Sequence, residues 1–171
     1  MAGYVIHLAV AEAYIEKHPG SIKNYEEFIQ GVIFPDSVSD KSITHYGEKS
    51  SKVNLKKFLD DKEIDNDYNK GYFLHLVTDY IFYNHFLEVF SKDIYNDYDV
   101  LNEKLQEKFN VKIPESIKNQ VFYKDGKTRI LDLDSTIKFI EETANLSLNE
   151  VKAKVLSGDK NWLEFRSLKK I

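Results

Sequence analysis

Apolar residues recur at helical spacing through most of this chain, and polar turn residues punctuate the segments. From Tyr4 to about His18 an apolar face is formed by Val5, Leu8, Ala9, Ala11 and Ile15, and Pro19-Gly20 stops the segment. The spacing predicts a second helix over about Asn24 to Ile33. Asn24 can cap it, Glu27 completes a capping box, and Gly31 and Pro35 mark its exit. Asp36 to Ser51 is rich in Ser, Lys and Asp and reads as a polar loop, of a length that in compact domains is often functional. Asn54 to Asp60 reads as a short helix, and the acidic stretch to Asn69 as exposed chain.

The strongest pattern runs from about Tyr68 to Phe90. Phe73, Leu74, Leu76, Val77, Ile81, Phe82, Phe86, Leu87, Val89 and Phe90 surround this segment on most sides, as expected of a central helix. Tyr95 to Phe109 is a further amphipathic helix, and Pro114 begins a short one to about Gln120. Residues 121–131 contain Asp125-Gly126, which favours a tight hairpin turn, so a small β-hairpin is one expectation and a helix the other. Helices over about Asp134 to Asn145 and Leu148 to Leu156 follow. Ser147 and Glu150 box the start of the last, and Gly158 closes it. The basic tail carries Trp162 and Phe165, both able to dock.

Composition narrows the picture. A length of 171 residues suits a single domain with a continuous core. Three Pro and seven Gly are too few for a sandwich built on many tight turns. With no cysteine, a disulfide scaffold, a thiolate metal site and a cysteine nucleophile are all excluded. A formal net charge of −4 argues against general affinity for duplex nucleic acid, though not against a hydrolase that grips phosphate through metal ions. No secretory signal and no transmembrane stretch is evident, so a cytoplasmic location is expected.

Histidine placement carries the chemistry. His75 and Asp79 stand four apart in the most apolar helix, hence on one side of it, about 5–6 Å apart at Cβ. An unpaired carboxylate there would be costly to bury. No Lys or Arg occurs between Lys70 and Lys92, so the helix itself offers no salt bridge. A divalent cation, an Asp–His hydrogen bond or a lysine from the 41–57 segment would compensate the charge. Asp36 is a ligand candidate with a helix cap or turn residue as its plain alternative. A histidine placed as His45 is more often an exposed loop residue, and one placed as His7 more often a satisfied core histidine. His18, at a helix end, complements the dipole and needs no site role. His85 lies about 80° round the helix from His75, facing the same cavity or filling a packing gap.

Taken together, His7 in the first helix, Gly31-Val32-Ile33-Phe34-Pro35-Asp36, Thr44-His45-Tyr46-Gly47 and Gly71-Tyr72-Phe73-Leu74-His75-Leu76-Val77-Thr78-Asp79 resemble the bacterial zinc-dependent phospholipase C family, whose wider group includes single-strand-specific zinc nucleases. The resemblance covers about the first 90 residues. It implies an all-α, compact multi-helix domain spanning 1–171, with a metal-site half of about 1–90 and an accessory helical half of about 91–171. It also implies that Asp36, His45, His75 and Asp79 surround one zinc, that His7 joins a neighbouring ion bridged by Asp79, and that His85 serves a further ion. The chain has no histidine after His85 to match the family's later His-x-x-x-Glu pair, so one ion or two is expected. Glu141 or Glu142 could supply a carboxylate.

The implied activity is hydrolysis of a small phosphoester by metal-activated water, with Asp36 as the base and zinc as the expected ion. Tyr46, Tyr80 or Tyr83 could donate to the substrate, and Lys41 or Lys49 could offset phosphate charge. Two rivals stand beside it. An HD-type phosphohydrolase would also be all-α, but its adjacent His-Asp pair is missing. A non-catalytic helical domain with a vestigial metal site fits the fact that four protein ligands close a structural site.

Overall fold

The computed structural model describes residues 2–171. Helices α1 (Tyr4–Lys17), α2 (Tyr25–Ile33), α3 (Lys41–His45), α4 (Leu55–Asp61), α5 (Asp67–Ile81), α6 (Ile94–Lys108), α7 (Leu133–Ala144) and α8 (Leu148–Leu156) make an all-α fold. The one sheet among the described residues joins β1 (Val89–Phe90) in parallel to β2 (Lys169–Lys170). Among the described residues, no helix is long and apolar enough to cross a membrane.

Local sequence sets most helix starts. Asn24, Asn54, Asn66, Asp132 and Ser147 each accept a backbone N–H from the first turn of the helix that follows. α1 is sheathed by α2, α5, α6 and α7, and ten of its 14 residues are buried. α2 and α5 cross at a distance only glycine permits. A Cβ on Gly31 would lie 2.0 Å from the Tyr68 carbonyl oxygen, and one on Gly71 would lie 2.1 Å from that of Phe28. This crossing brings the exit of α2, with Pro35 and Asp36, against the polar face of α5.

Three sequence expectations need correction. Residues 36–51 are not an open loop. Asp40 caps Ser42 and starts α3, a helix too short to show a period, which carries His45 into the interior. The central helix does not run unbroken to Phe90: α5 ends at Ile81 and a wide π turn covers Phe82–Phe86. Residues 121–131 form neither hairpin nor helix. Their backbone groups are spent on α6 instead. The Asp97 carboxylate accepts the N–H groups of Arg129, Ile130 and Leu131, Lys124 N–H bonds the Asp99 carbonyl, and Asn102 donates to the Phe122 carbonyl. Gly126 has φ 134°, outside the primed-turn conformation that Asp-Gly suggested.

The tail docks as expected. Trp162 and Phe165 stand against the Tyr80 ring, Tyr80 donates to the Glu164 carbonyl, and Arg166 N–H bonds the Asn84 side chain.

Candidate metal centre

Four elements converge on one point. α1 supplies His7, the turn after α2 supplies Asp36, α3 supplies His45, and α5 supplies His75 and Asp79. All five residues are at most 4% exposed. One atom from each of Asp36, His45, His75 and Asp79 lies within 4.8 Å of all the others, an arrangement able to hold a metal ion.

The distances are those of a ligand shell. His45 Nε2 is 3.4 Å from Asp36 Oδ1 and 3.1 Å from Asp79 Oδ2. His75 Nε2 is 3.6 Å and 3.2 Å from the same two oxygens. Tetrahedral ligands at bond lengths of about 2.0–2.1 Å stand about 3.3 Å apart, so these four atoms need little movement to share an ion. His7 addresses the other oxygens: its Nε2 lies 3.0 Å from Asp79 Oδ1 and 3.9 Å from Asp36 Oδ2. The His7 and His75 rings stack at 3.6 Å, and His45 meets His75 edge-on at 5.3 Å.

Backbone carbonyls choose the tautomers. His75 Nδ1 is 2.6 Å from the Val32 carbonyl, in the last turn of α2. His45 Nδ1 is 2.8 Å from the Lys41 carbonyl, one turn back in α3. A carbonyl only accepts, so each Nδ1 carries a proton and each Nε2 faces the carboxylates, holding a second proton in the metal-free protein or offering its lone pair to a cation. This second layer is the usual companion of metal-bound imidazole.

Electrostatics expose what the protein alone leaves unfinished. Burial would raise the Asp36 and Asp79 carboxyls, but the imidazoles outweigh it and hold both below the usual carboxylate range: His75 and His45 for Asp36, His7 and His75 for Asp79. Burial would lower His75, yet Asp36 and Asp79 lift it to about 10. The same carboxylates raise His45 against burial. Burial and the neighbouring His75 push His7 down. Two carboxylates in a dry site therefore call for two positive charges, which two protons or one divalent cation can supply.

Hydrogen bonding separates these options. Both nitrogens of His7, both oxygens of Asp36 and the Nε2 of His75 are buried without a hydrogen-bond partner. A proton on His75 Nε2 leaves Asp36 still unpartnered. A cation at the centre would engage an Asp36 oxygen and His75 Nε2 together, and buried polar atoms are seldom left unsatisfied. The donor set, nitrogen and oxygen without sulfur, suits zinc, manganese or iron.

Of the residues singled out in the sequence, His7, Asp36, His45, His75 and Asp79 are brought together. His85 is not. It is exposed, its Nε2 is 2.9 Å from the Asn161 carbonyl, and its ring stands beside Tyr80. Six residues beyond Asp79, it lies about 9 Å further along the helix axis, and the wide turn at Phe82–Phe86 alters the angle that a regular helix would give. Sequence reasoning missed the backbone partners: Val32, Lys41 and Ala2, whose N–H donates to Asp79 Oδ1 at 3.2 Å. Carbonyls and amides carry no residue signature, so only the fold reveals them.

Asp36 also forms part of the wall of a cleft of 270 Å³, together with Tyr4, Lys41, Tyr95, Asn102 and Phe122. Tyr4 donates its hydroxyl to the Asp36 carbonyl at 2.9 Å. The Asp36 carboxylate itself is fully buried, so the cleft lies beside the cluster without exposing its ligand atoms. No protein-family model matches the chain, and neither does any curated protein or solved structure.

Proposed function

We propose that this protein is a metal-dependent hydrolase of a small phosphoester, similar in its site to the zinc-dependent phospholipase C family. The unpartnered polar atoms of Asp36, His7 and His75, buried beside one another, carry this reading. When bound, a divalent cation supplies an activated water and polarises a phosphoryl oxygen. Asp36, His45, His75 and Asp79 hold the principal ion, with zinc the favoured one. Asp36 borders the cleft and is the carboxylate assigned as base for that water. Lys41, on the same cleft, offsets phosphate charge.

The carboxylate oxygens divide in a way that supports a second ion. Asp36 Oδ1 and Asp79 Oδ2 face His45 and His75, whereas Asp36 Oδ2 and Asp79 Oδ1 face His7. Asp36 and Asp79 would then help hold both ions, with His7 as a ligand to the second. Paired ions about 3.5–4 Å apart are a common phosphoryl-transfer device.

Near-complete burial favours one rival, a closed structural site that staples four elements and turns nothing over. Zinc-loaded protein, its His75→Ala variant and chelator-stripped protein, assayed on a chromogenic phosphodiester with elemental analysis of each, separate the readings. Turnover that needs both metal and His75 supports the hydrolase. Bound metal without turnover leaves the staple. Equal turnover in wild type and variant removes the catalytic assignment.

A further inference from the structure

The two aspartates and three histidines come from four elements, so something must fix the distance between the turn carrying Asp36 and the helix carrying His45. Thr44 and Tyr72 occupy that place. Thr44 is 4% exposed, and its hydroxyl lies 2.8 Å from the carbonyl oxygen of Pro35, the residue before Asp36. The same hydroxyl is 3.1 Å from His45 Nδ1 and 3.2 Å from the Lys41 carbonyl. A hydroxyl has one proton to give and two lone pairs to receive. The shorter contact takes the proton to Pro35, which leaves a lone pair for His45 Nδ1–H alongside the Lys41 carbonyl.

This departs from the ordinary local habit of threonine in helices, which is to bond a carbonyl three or four residues back. Here the better bond crosses to another element. Tyr72, 3% exposed on α5, completes the tie from the other side: its hydroxyl donates to the Thr44 carbonyl at 2.8 Å. Tyr72 lies one turn before His75 on the same helix. One chain of hydrogen bonds therefore runs from the helix of His75 and Asp79, through Thr44, to the turn of Asp36, touching His45 on the way.

We infer that Thr44 and Tyr72 are positioning residues that set the spacing of the ligand shell, acting on the ion through Asp36 and His45 without touching it. The inference rests on the metal-centre reading above. Loss of such outer partners costs metal affinity about 10–100-fold in comparable sites. Thr44→Val keeps the side-chain shape and removes the hydroxyl; Thr44→Ser restores it.

The test uses the full chain stripped of metal and titrated with Co2+, followed by visible absorption. Thr44→Val is expected to bind about 10-fold more weakly with an altered d–d band, and Thr44→Ser to match wild type in both. Wild-type affinity and band shape in a folded Thr44→Val, with only its melting temperature lowered, overturn the inference and leave Thr44 a packing residue. Should Thr44→Val not fold, Tyr72→Phe decides: weaker binding with a changed band is expected, and an unchanged titration overturns the inference. Wild-type protein that takes up no Co2+ is a different failure, that of the metal centre itself.

Discussion

Asp97 and Asp36 are both buried carboxylates at the edge of α-helical structure, and they are finished in opposite ways. Asp97, in the accessory half, accepts three backbone N–H groups from residues 129–131. Asp67 is similar, taking the N–H groups of Lys23 and Asn24. Each is a pin that ties a strandless segment to a helix. Asp36 takes no hydrogen bond on either oxygen and faces imidazole nitrogens instead. Buried acids completed by amides are structural, and those whose lone pairs stay open toward other ligands are built for a cation.

The largest expected effects would break that contrast at its two poles. Asp36→Asn is expected to lower metal affinity at least about 100-fold, since it weakens a first ligand more than any outer partner does. The metal-free variant should stay folded but be somewhat less stable than metal-free wild type at neutral pH, because the charge that favours the His75 and His45 cations is gone. Competition with a chelator and denaturant unfolding measure the two quantities. Asp97→Ala should do the reverse, costing about 3 kcal/mol of stability by orphaning buried amides while leaving metal content unchanged. A variant at Asp97 that loses metal, or one at Asp36 that unfolds, would erase the distinction.

The pH dependence sharpens it. His75 is raised from 6.5 to about 10 in the folded metal-free protein, and His45 is raised too. Their contribution is complete below the unfolded value of 6.5 and is lost as pH climbs toward 10. Asp36 and Asp79 are depressed below 3.8, so their contribution is present above that value and is lost as pH falls through their folded pKa values. Metal-free protein should therefore lose stability steadily from pH 6.5 to 10. Metal competes with those protons, so loaded protein should keep its stability across that window and bind more tightly as pH rises. Urea midpoints with and without Zn2+ test this, and parallel decline in both would count against a cation in the cluster.

His85→Ala should have the smallest effect. The residue is exposed and apart from the cluster, so stability should stay within about 0.5 kcal/mol and metal stoichiometry should not move. A lost ion in this variant would return His85 to the ligand set.

Much of this was legible in the residues. The caps at Asn24 and Ser147 and the apolar wrapping of α5 located helices directly. The four-residue spacing of His75 and Asp79, in a stretch with no Lys or Arg between Lys70 and Lys92, pointed to the centre. Other features had no local signal. α3 is five residues long, shorter than any period can reveal, so His45 looked like a loop residue. Asp125-Gly126 spoke for a hairpin, but Asp97 outbid it from a distant helix by taking the amides that a ladder would have needed. The wide turn at Phe82–Phe86 continued the apolar pattern while changing the geometry, which is why His85 looked closer to the site than it is.

The most direct test is a crystal of the protein soaked in Zn2+, with anomalous scattering recorded at the zinc edge. The account predicts a peak about 2.0–2.2 Å from Asp36, His45, His75 and Asp79, with any second peak on the His7 side. A folded protein with no peak there, its imidazoles simply hydrogen-bonded to the two carboxylates, would contradict it.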